Sequence, residues 1–193
     1  MKLVLASHTQ GKLAELRAIL EPAVADLELV GYDGPEPVED GSSYLENALI
    51  KARAANRHTG LPSIADDSGL CVDALHGMPG VLSARWSGRH GDDAANLALL
   101  LAQMSEVPDS RRGAQFVCAA AWVVPDVSEH VVEGVLEGSL AREARGGNGF
   151  GYDPIFIPQA YALTTAELRP HEKDAISHRG QALRLLARSF LDG

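Results

Sequence analysis

The stretch Ser63-Ile64-Ala65-Asp66-Asp67-Ser68-Gly69-Leu70 places two adjacent carboxylates between a short apolar run and a glycine. A strand here would deliver acid groups to a site, and side-chain alternation would send Asp66 and Asp67 to opposite sides. We therefore expect one carboxylate to reach a bound cation and the other to anchor the chain, without a shared proton. A surface turn built from Asp, Ser and Gly is the alternative.

The apolar run Leu3-Val4-Leu5 predicts a strand, and a second candidate segment, which is polar, follows it. This N-terminal polar segment reads Ser7, His8, Thr9, Gln10, Gly11, Lys12, and then Leu13, Leu16, Ile19 and Leu20 recur at helical spacing. A helix start offers unpaired N–H groups, and hydroxyls, a glycine and a lysine suit phosphate oxygens. We predict a phosphate-binding segment, although its spacing is neither that of a Walker loop nor that of a Rossmann fingerprint.

Length and composition predict one domain spanning residues 1–193, with a single core or two small lobes. The apolar fraction of 46% and the charged fraction of 22% are ordinary for a globular protein. No apolar run reaches the length of a membrane span and no signal peptide is evident, so we expect a cytoplasmic protein without a membrane partner. Cys71 and Cys118 lack C-x-x-C spacing, which predicts buried reduced thiols.

The charge balance restricts the ligand class. A formal net charge of −9 argues against a protein that coats polymeric nucleic acid. A small anionic ligand fits if cations gather locally. Only four of the 17 basic residues are lysines, and Lys12, Lys51 and Lys173 all lie in candidate segments. A lysine is a compact phosphate contact, so these three are candidates, with chance as the alternative.

Two further patterns supply candidate residues. Ser43-Tyr44-Leu45-Glu46 matches a capping box before a helix in which Leu45, Ala48, Leu49 and Ala52 form an apolar stripe. Asn47 and Lys51 share another face, so Lys51 can point into a cleft. The run Gly146-Gly147-Asn148-Gly149-Phe150-Gly151-Tyr152-Asp153-Pro154 is glycine-dense yet aromatic, and Phe150 or Tyr152 could stack on a flat ring. Aromatics packed into the core are the alternative.

The order of predicted elements indicates the fold class. Helices and strands interleave in the first half, and residues 114–124 and 131–140 predict an antiparallel pair. A strand at residues 155–157 and a C-terminal helix carrying Leu183, Leu186 and Phe190 complete the pattern. We predict an α/β or α+β protein with a mixed central sheet.

Six motifs occur in order along the chain: Gly11-Lys12; Glu46-Asn47-Ala48 with Lys51-Ala52; Ala65-Asp66-Asp67-Ser68-Gly69-Leu70; Ser83-Ala84-Arg85 with Ser87-Gly88; Gly149-Phe150-Gly151-Tyr152-Asp153-Pro154; and Ser177-His178-Arg179-Gly180. In this order the chain closely resembles, nearly end to end, the inosine/xanthosine triphosphate pyrophosphatase family. The resemblance implies a two-lobed α/β fold with an elongated mixed central sheet flanked by helices, an active-site cleft between the lobes, and a homodimer. It also implies Mg²⁺-dependent hydrolysis of ITP, dITP and XTP to the monophosphate and pyrophosphate, which clears deaminated nucleotides.

The resemblance also implies residue roles. Asp67 corresponds to the catalytic proton acceptor and metal ligand, and Glu39 is our choice for the second metal carboxylate. The implied substrate contacts are Ser7, His8, Thr9, Gln10, Gly11, Lys12, Lys51, Ser68, Phe150, Gly151, Tyr152, Asp153, Lys173, His178 and Arg179. Two positions depart from the family pattern, because Thr9 stands where an asparagine is usual and Glu39 lies one position nearer to Gly41.

Other functions compete with this interpretation. A related pyrophosphatase for other modified nucleotides would share the fold, but His178-Arg179 and the Phe-Gly-Tyr-Asp motif speak against it. A non-catalytic nucleotide sensor could dispense with the metal carboxylates, whereas Asp66 and Asp67 are both present. An aspartyl-phosphate phosphatase would need a D-x-D arrangement, which is absent from the sequence.

Overall fold

The computed structural model of the chain describes residues 2–8, 10–22 and 24–189, and within residues 10–15 it describes only the side chain of Leu13. The strands are β1 (Lys2–Leu5), β2 (Glu28–Gly31), β3 (Ser63–Val72), β4 (Gly113–Val124), β5 (Ser128–Leu140) and β6 (Phe156–Pro158). The helices are α1 (Gln10–Leu20), α2 (Tyr44–Thr59), α3 (Asp93–Gln103), α4 (Pro170–Ile176) and α5 (His178–Ser189). The expected α/β class is confirmed.

The six strands form one mixed sheet in the order β2-β1-β3-β4-β5-β6. Strand β1 pairs in parallel with both β2 and β3, and β5 pairs antiparallel with β6. Strands β4 and β5 are neighbours joined by only three residues, 125–127, and strands joined this tightly run antiparallel. The bond from the N–H of Leu140 to the carbonyl of Arg112 lies at the far end of this hairpin. The mixed sheet predicted from the sequence is therefore present.

The connections that leave β1 reverse direction at the carboxyl end of that strand. The chain leaves β1 through α1 to reach β2 on one side, and returns through α2 to reach β3 on the other side. In open α/β sheets, ligands bind at the carboxyl ends of strands where the connections reverse direction in this way. Leu5 pairs with Ile64, so the polar segment after β1 and the aspartates of β3 both extend beyond the same pair. The fold thus brings the two candidate segments together.

The chain divides into two compact units. The first comprises Met1–Asp67, Cys118–Gly134 and His178–Gly193, and the second comprises Ser68–Val117 and Val135–Ser177. The first unit has a core formed by residues of β1, α1, β2, β3, β4 and α5: Leu3, Leu5, Leu13, Leu16, Leu20, Leu29, Ile64, Cys118, Ala120, Ala182, Leu183, Leu186 and Ala187. The second has its own core: Leu70, Val72, Leu100, Met104, Ala114, Phe116, Leu140, Tyr152, Ile155 and Phe156.

Helix α2 begins with the predicted cap. The Ser43 hydroxyl accepts a hydrogen bond from the backbone N–H of Glu46 at 3.2 Å, while the Glu46 carboxylate accepts from the N–H of Ser42 at 2.6 Å. The reciprocal capping contact therefore reaches Ser42, one residue further out than the sequence motif predicts.

The apolar stripe predicted for α2 is wrong at Leu45, whose side chain is exposed, because Tyr44 and Asn47 occupy the buried face instead.

Other sequence-based expectations concern the cysteines, membrane-spanning helices and the C-terminal helix. Cys71 and Cys118 are not joined in a disulfide among the described residues, and Cys118 is buried as predicted, whereas Cys71 is partly exposed. None of the helices described here has both the length and the apolar character needed to cross a membrane. Phe190, predicted on the C-terminal helix, lies outside the described residues.

Candidate active site

The side chain of Asp67 lies in a network of donors supplied by α2. The Lys51 ammonium donates to Oδ1 of Asp67 at 3.0 Å, and the Asn47 amide donates to Oδ2 at 3.2 Å. Asn47 and Lys51 are one helical turn apart, so both face β3, as the predicted shared face requires. The Asn47 amide oxygen also accepts from the N–H of Gly41 at 2.9 Å, which ties the acidic loop to the same helix.

Glu39 brings a second carboxylate to the same ammonium. Its Oε2 lies 3.3 Å from the Lys51 Nζ, so Glu39, Lys51 and Asp67 form a cluster that we call the carboxylate cluster. Burial raises the pKa of Asp67, Glu39 adds to the rise, and Lys51 and Asn47 oppose it. Burial opposes protonation of Lys51, but Asp67, Asp66 and Glu39 together raise its pKa, so Lys51 is charged. Asp67 is therefore a stronger base than an ordinary aspartate.

Asp66 has a separate partner, as alternation along a strand predicts. Its Oδ2 accepts from the Nε of Arg179 at 3.1 Å, and both side chains are buried. A buried carboxylate is costly unless a charged donor compensates it, so this ion pair anchors α5 to β3. Arg179 thus has a structural partner at one edge of its guanidinium. Its predicted contact with a nucleotide base stays a prediction.

The N-terminal polar segment is described in part. Thr9 lies outside the described residues, and only the backbone of Gln10, Gly11 and Lys12 is described, as the first turn of α1. The predicted phosphate contacts of these four residues stay predictions. Ser7 and His8 follow the end of β1, and the N–H of Ala6 bonds to the carbonyl of Ile64 at 2.8 Å. The segment therefore starts beside β3, two residues before Asp66 along that strand.

In the second unit, the predicted aromatic motif forms a short loop, residues 149–153, which we call the aromatic loop. The Asp153 carboxylate accepts from the backbone N–H of Phe150 at 2.8 Å, from the Lys173 ammonium at 2.5 Å and from the Thr165 hydroxyl at 2.8 Å. Gly149 has a φ of +77°, and a Cβ there would lie 2.1 Å from Oδ2 of Asp153. A side chain at this position would break the loop.

The two aromatic residues of this loop have opposite environments. Phe150 is 62% exposed, and the Lys173 Nζ lies 4.9 Å from its ring centroid, so the ring is held but open to a ligand. Tyr152 is buried in the core, and its hydroxyl donates to the carbonyl of Ser83 at 2.9 Å. The stacking surface of the loop is thus the Phe150 ring, whereas the Tyr152 side chain fixes the loop to the core.

Asp93, the first residue of α3, was not predicted from the sequence as a site residue. Its Oδ2 accepts from the backbone N–H of Gly151 at 2.9 Å and so holds the tip of the aromatic loop. Asp93 is separated from Gly151 by 58 residues, and an acid in the first turn of a helix has an ordinary dipole explanation. Asp93 is recognised as part of the site through its contact with Gly151 in the structure, and no sequence pattern pointed to it.

Two further predicted contacts have clear positions. In the described part of the chain, the buried hydroxyl of Ser68 has no hydrogen-bond partner. A buried hydroxyl of this kind is ready to bond an incoming polar ligand. His178 begins α5 directly before Arg179, with its side chain partly exposed. The substrate contacts predicted for Ser68 and His178 stay predictions.

Fold and site together define an α/β protein whose cation-bridged carboxylate cluster includes Asp67 of β3, beyond the carboxyl end of the parallel neighbour β1. Residues 3–189 match the model of the Ham1 family. The chain belongs to the Ham1 family, and the family resemblance predicted from the six motifs is confirmed.

The similar proteins cover nearly the whole chain. A dITP/XTP pyrophosphatase of Mycobacteroides abscessus is 61% identical over 191 residues, which is 96% of this chain and 93% of the relative. A dITP/XTP pyrophosphatase of Leifsonia xyli is 57% identical over 182 residues, 94% of this chain and 92% of the relative. The solved structure of a HAM1 protein from Coxiella burnetii superposes with a TM-score of 0.92 at 43% identity, covering 100% of both chains.

Proposed function

We propose that this protein is a nucleoside triphosphate pyrophosphatase that hydrolyses dITP, XTP and ITP to the monophosphate and pyrophosphate. The proposal depends on family membership. The chain aligns with more than 90% of the length of relatives that are named dITP/XTP pyrophosphatase. The carboxylate cluster supplies the chemistry that such a reaction needs. We also propose a cytoplasmic location, and a homodimer, which the family resemblance implies.

The carboxylate cluster fits a magnesium ion. One ammonium lies within 3.3 Å of oxygens from both Glu39 and Asp67, so the two carboxylates can face a single cation. No larger group of His, Cys, Asp and Glu that could hold a metal occurs within residues 2–8, 10–22 and 24–189. Magnesium is commonly held by one or two carboxylates together with substrate phosphates, so two suffice. When bound, Mg²⁺ would neutralise charge on the phosphates.

Asp67 is proposed to accept the proton of the attacking water. The water oxygen forms a bond to the α-phosphorus, the bond from that phosphorus to the bridging oxygen breaks, and pyrophosphate leaves with the bonding electrons. Burial raises the pKa of Asp67, and a raised pKa makes a carboxylate a better proton acceptor. Lys51 keeps Asp67 oriented at 3.0 Å and adds positive charge near the phosphates.

The remaining substrate contacts are assigned by chemistry. The N-terminal polar segment, with Lys51 and Lys173, is proposed to hold the triphosphate, and the Ser68 hydroxyl gains a partner when substrate binds. The exposed ring of Phe150 offers a flat surface for the base. His178 and Arg179 are proposed to read the base edge, where hypoxanthine and xanthine present an acceptor at O6 and adenine presents an amino donor.

The deciding experiment is product analysis. The protein is incubated with ITP, dITP, XTP, ATP and GTP in the presence of Mg²⁺, and the released anions are separated. We expect pyrophosphate and a monophosphate from the first three nucleotides. Release of orthophosphate and a diphosphate would contradict the reaction, and tight nucleotide binding without any turnover would favour a sensor.

Asp93→Ala is expected to raise KM for dITP several-fold, because the aromatic loop loses the acceptor for the Gly151 N–H. The matched variant Asp93→Asn keeps an oxygen acceptor and should restore most of the affinity. Steady-state kinetics on both variants measure the effect. An equal loss in the two variants would show that the charge of Asp93 matters and the hydrogen bond does not.

Arg179→Ala is expected to lower the ratio of kcat/KM for ITP to that for ATP, because a donor to O6 is lost while the mismatch with adenine disappears. The melting temperature should also fall, since buried Asp66 loses its partner. Both quantities are measured on one preparation. A lower melting temperature with an unchanged ratio would assign Arg179 to the ion pair alone.

A further inference from the structure

The imidazole of His8 lies between two hydrogen-bond acceptors. Its Nδ1 is 2.9 Å from Oε1 of Glu36, and its Nε2 is 3.0 Å from the carbonyl oxygen of Gly34. A neutral imidazole carries one N–H, whereas an imidazolium carries two. Because a carboxylate and a carbonyl can only accept, the protonated ring alone satisfies both contacts. His8 is therefore placed to act as a cation that joins the N-terminal polar segment to residues 32–36.

Residues 32–36, which we call the Tyr32 loop, are folded around a buried tyrosine. The Tyr32 hydroxyl donates to the carbonyl of Pro35 at 2.9 Å. A Cβ at Gly34 would lie 2.4 Å from the Tyr32 hydroxyl oxygen, so the backbone passes directly over the ring. His8 stacks on the same ring, with centroids 5.5 Å apart and an interplanar angle of 28°. The acceptors that hold His8 thus belong to a loop whose own geometry is fixed.

The charged groups around His8 favour its protonated form. Glu36 bonds it directly, and Asp33 adds a more distant negative charge from the same loop. On α2, the His58 ring packs edge-on against Tyr32 with centroids 5.5 Å apart, and its Nε2 lies 3.6 Å from Oδ1 of Asp33. Arg57, also on α2, opposes the rise that burial causes in the pKa of the Tyr32 phenol. The hydrogen bond to Glu36 is the main cause of a raised His8 pKa, which desolvation opposes.

We propose that protonated His8 is a positioning residue for the triphosphate. It holds the N-terminal polar segment against the Tyr32 loop and so keeps that segment in place to bind the phosphates. Both ring nitrogens are engaged by the protein, so His8 acts through the segment and its side chain is not itself a phosphate contact. The inference rests on the proposed function and adds a determinant of affinity to it. A folded-state pKa above the ordinary value means that both contacts are complete below pH 6.5 and that one is lost as pH rises through the raised pKa.

The kinetic test compares His8→Gln, His8→Ala and Glu36→Gln with the control His58→Gln, which changes a histidine on the same tyrosine. KM and kcat for dITP are measured between pH 5.5 and 9. We expect wild-type KM to rise with pH, and His8→Ala and Glu36→Gln to raise KM about three- to tenfold at pH 6 with kcat within about twofold. His8→Gln, which donates one hydrogen bond, should fall between and lose the pH dependence. His58→Gln should match wild type.

A second measurement does not depend on turnover. The histidine rings of the nucleotide-free protein are titrated by NMR, and the His8 pKa should lie above the ordinary value and fall in Glu36→Gln. A His8 pKa that Glu36→Gln leaves unchanged, or a KM profile shared by wild type and all the His8 variants, overturns the inference. If no nucleotide is hydrolysed, the proposed function fails, and the dissociation constant of dITP replaces KM in the same comparison.

Discussion

Asp67→Asn is expected to lower kcat for dITP by at least about a hundredfold, with the fold and nucleotide binding largely intact. An amide is nearly the size of a carboxylate, so the contacts with Asn47 and Lys51 can be kept in part. It cannot accept a proton, however, and it binds a magnesium ion poorly. Lys51 retains Glu39 as a charged partner at 3.3 Å, so the variant leaves no isolated buried ammonium. The loss should therefore fall on turnover.

Single-turnover kinetics and calorimetric binding of dITP measure the two quantities separately. Asp126→Asn is the matched control, since it makes the same chemical change at an exposed position of the β4–β5 turn, where the backbone has a φ of +54° that asparagine also accepts. Turnover of Asp67→Asn within a few-fold of wild type would remove Asp67 from the centre of the mechanism. A collapse of the melting temperature would show instead that its role is structural.

Arg112→Lys is expected to reduce the free energy of unfolding by about 3 kcal/mol, because the carbonyls of Leu140 and Ala141 lose their guanidinium donor and each orphaned acceptor costs about 1–3 kcal/mol. The guanidinium of Arg112 is buried just before β4. It donates to the carbonyls of Leu140 at 2.8 Å, Met104 at 2.6 Å and Ala141 at 2.9 Å. A lysine keeps the charge but cannot reproduce a planar fork that bonds three carbonyls on two separate chain segments.

For a chain of this length, such a loss corresponds to a fall of about 6–12 °C in the melting temperature. Arg111→Lys, one position earlier and exposed, provides the control and should change the melting temperature by no more than about 2 °C. Calorimetry of the two variants side by side makes the comparison. Equal melting temperatures would mean that water replaces the guanidinium at these carbonyls without cost.

Local patterns were sufficient to predict most of the elements. Leu13, Leu16 and Leu20 are spaced for one helical face, and all three are buried in the first core. Helix α4 was missed as a separate element, because the sequence signals predicted a single C-terminal helix. Pro170 at its first turn and the extended backbone of Ser177 divide the region into two helices. The division depends on backbone angles that periodicity does not report.

The candidate site was predictable where chemistry was written into adjacent residues. The separate partners of Asp66 and Asp67 follow from alternation along a strand. The identity of those partners does not, since Arg179 lies 113 residues from Asp66. Asp93 was missed for the same reason. Contacts between distant segments arise from how strands and helices pack, and a single sequence carries no record of that packing.

Lys51 determines whether the folded protein needs a metal ion as a counter-ion for Glu39 and Asp67. With the ammonium between Glu39 and Asp67, the two carboxylates already have a counter-ion supplied by the polypeptide itself. The folded state thus has no need to recruit a divalent ion to relieve their mutual repulsion. On the proposed function, Lys51 would then serve folding and magnesium would serve catalysis. We therefore expect the protein to stay folded, but inactive, in a cell depleted of magnesium.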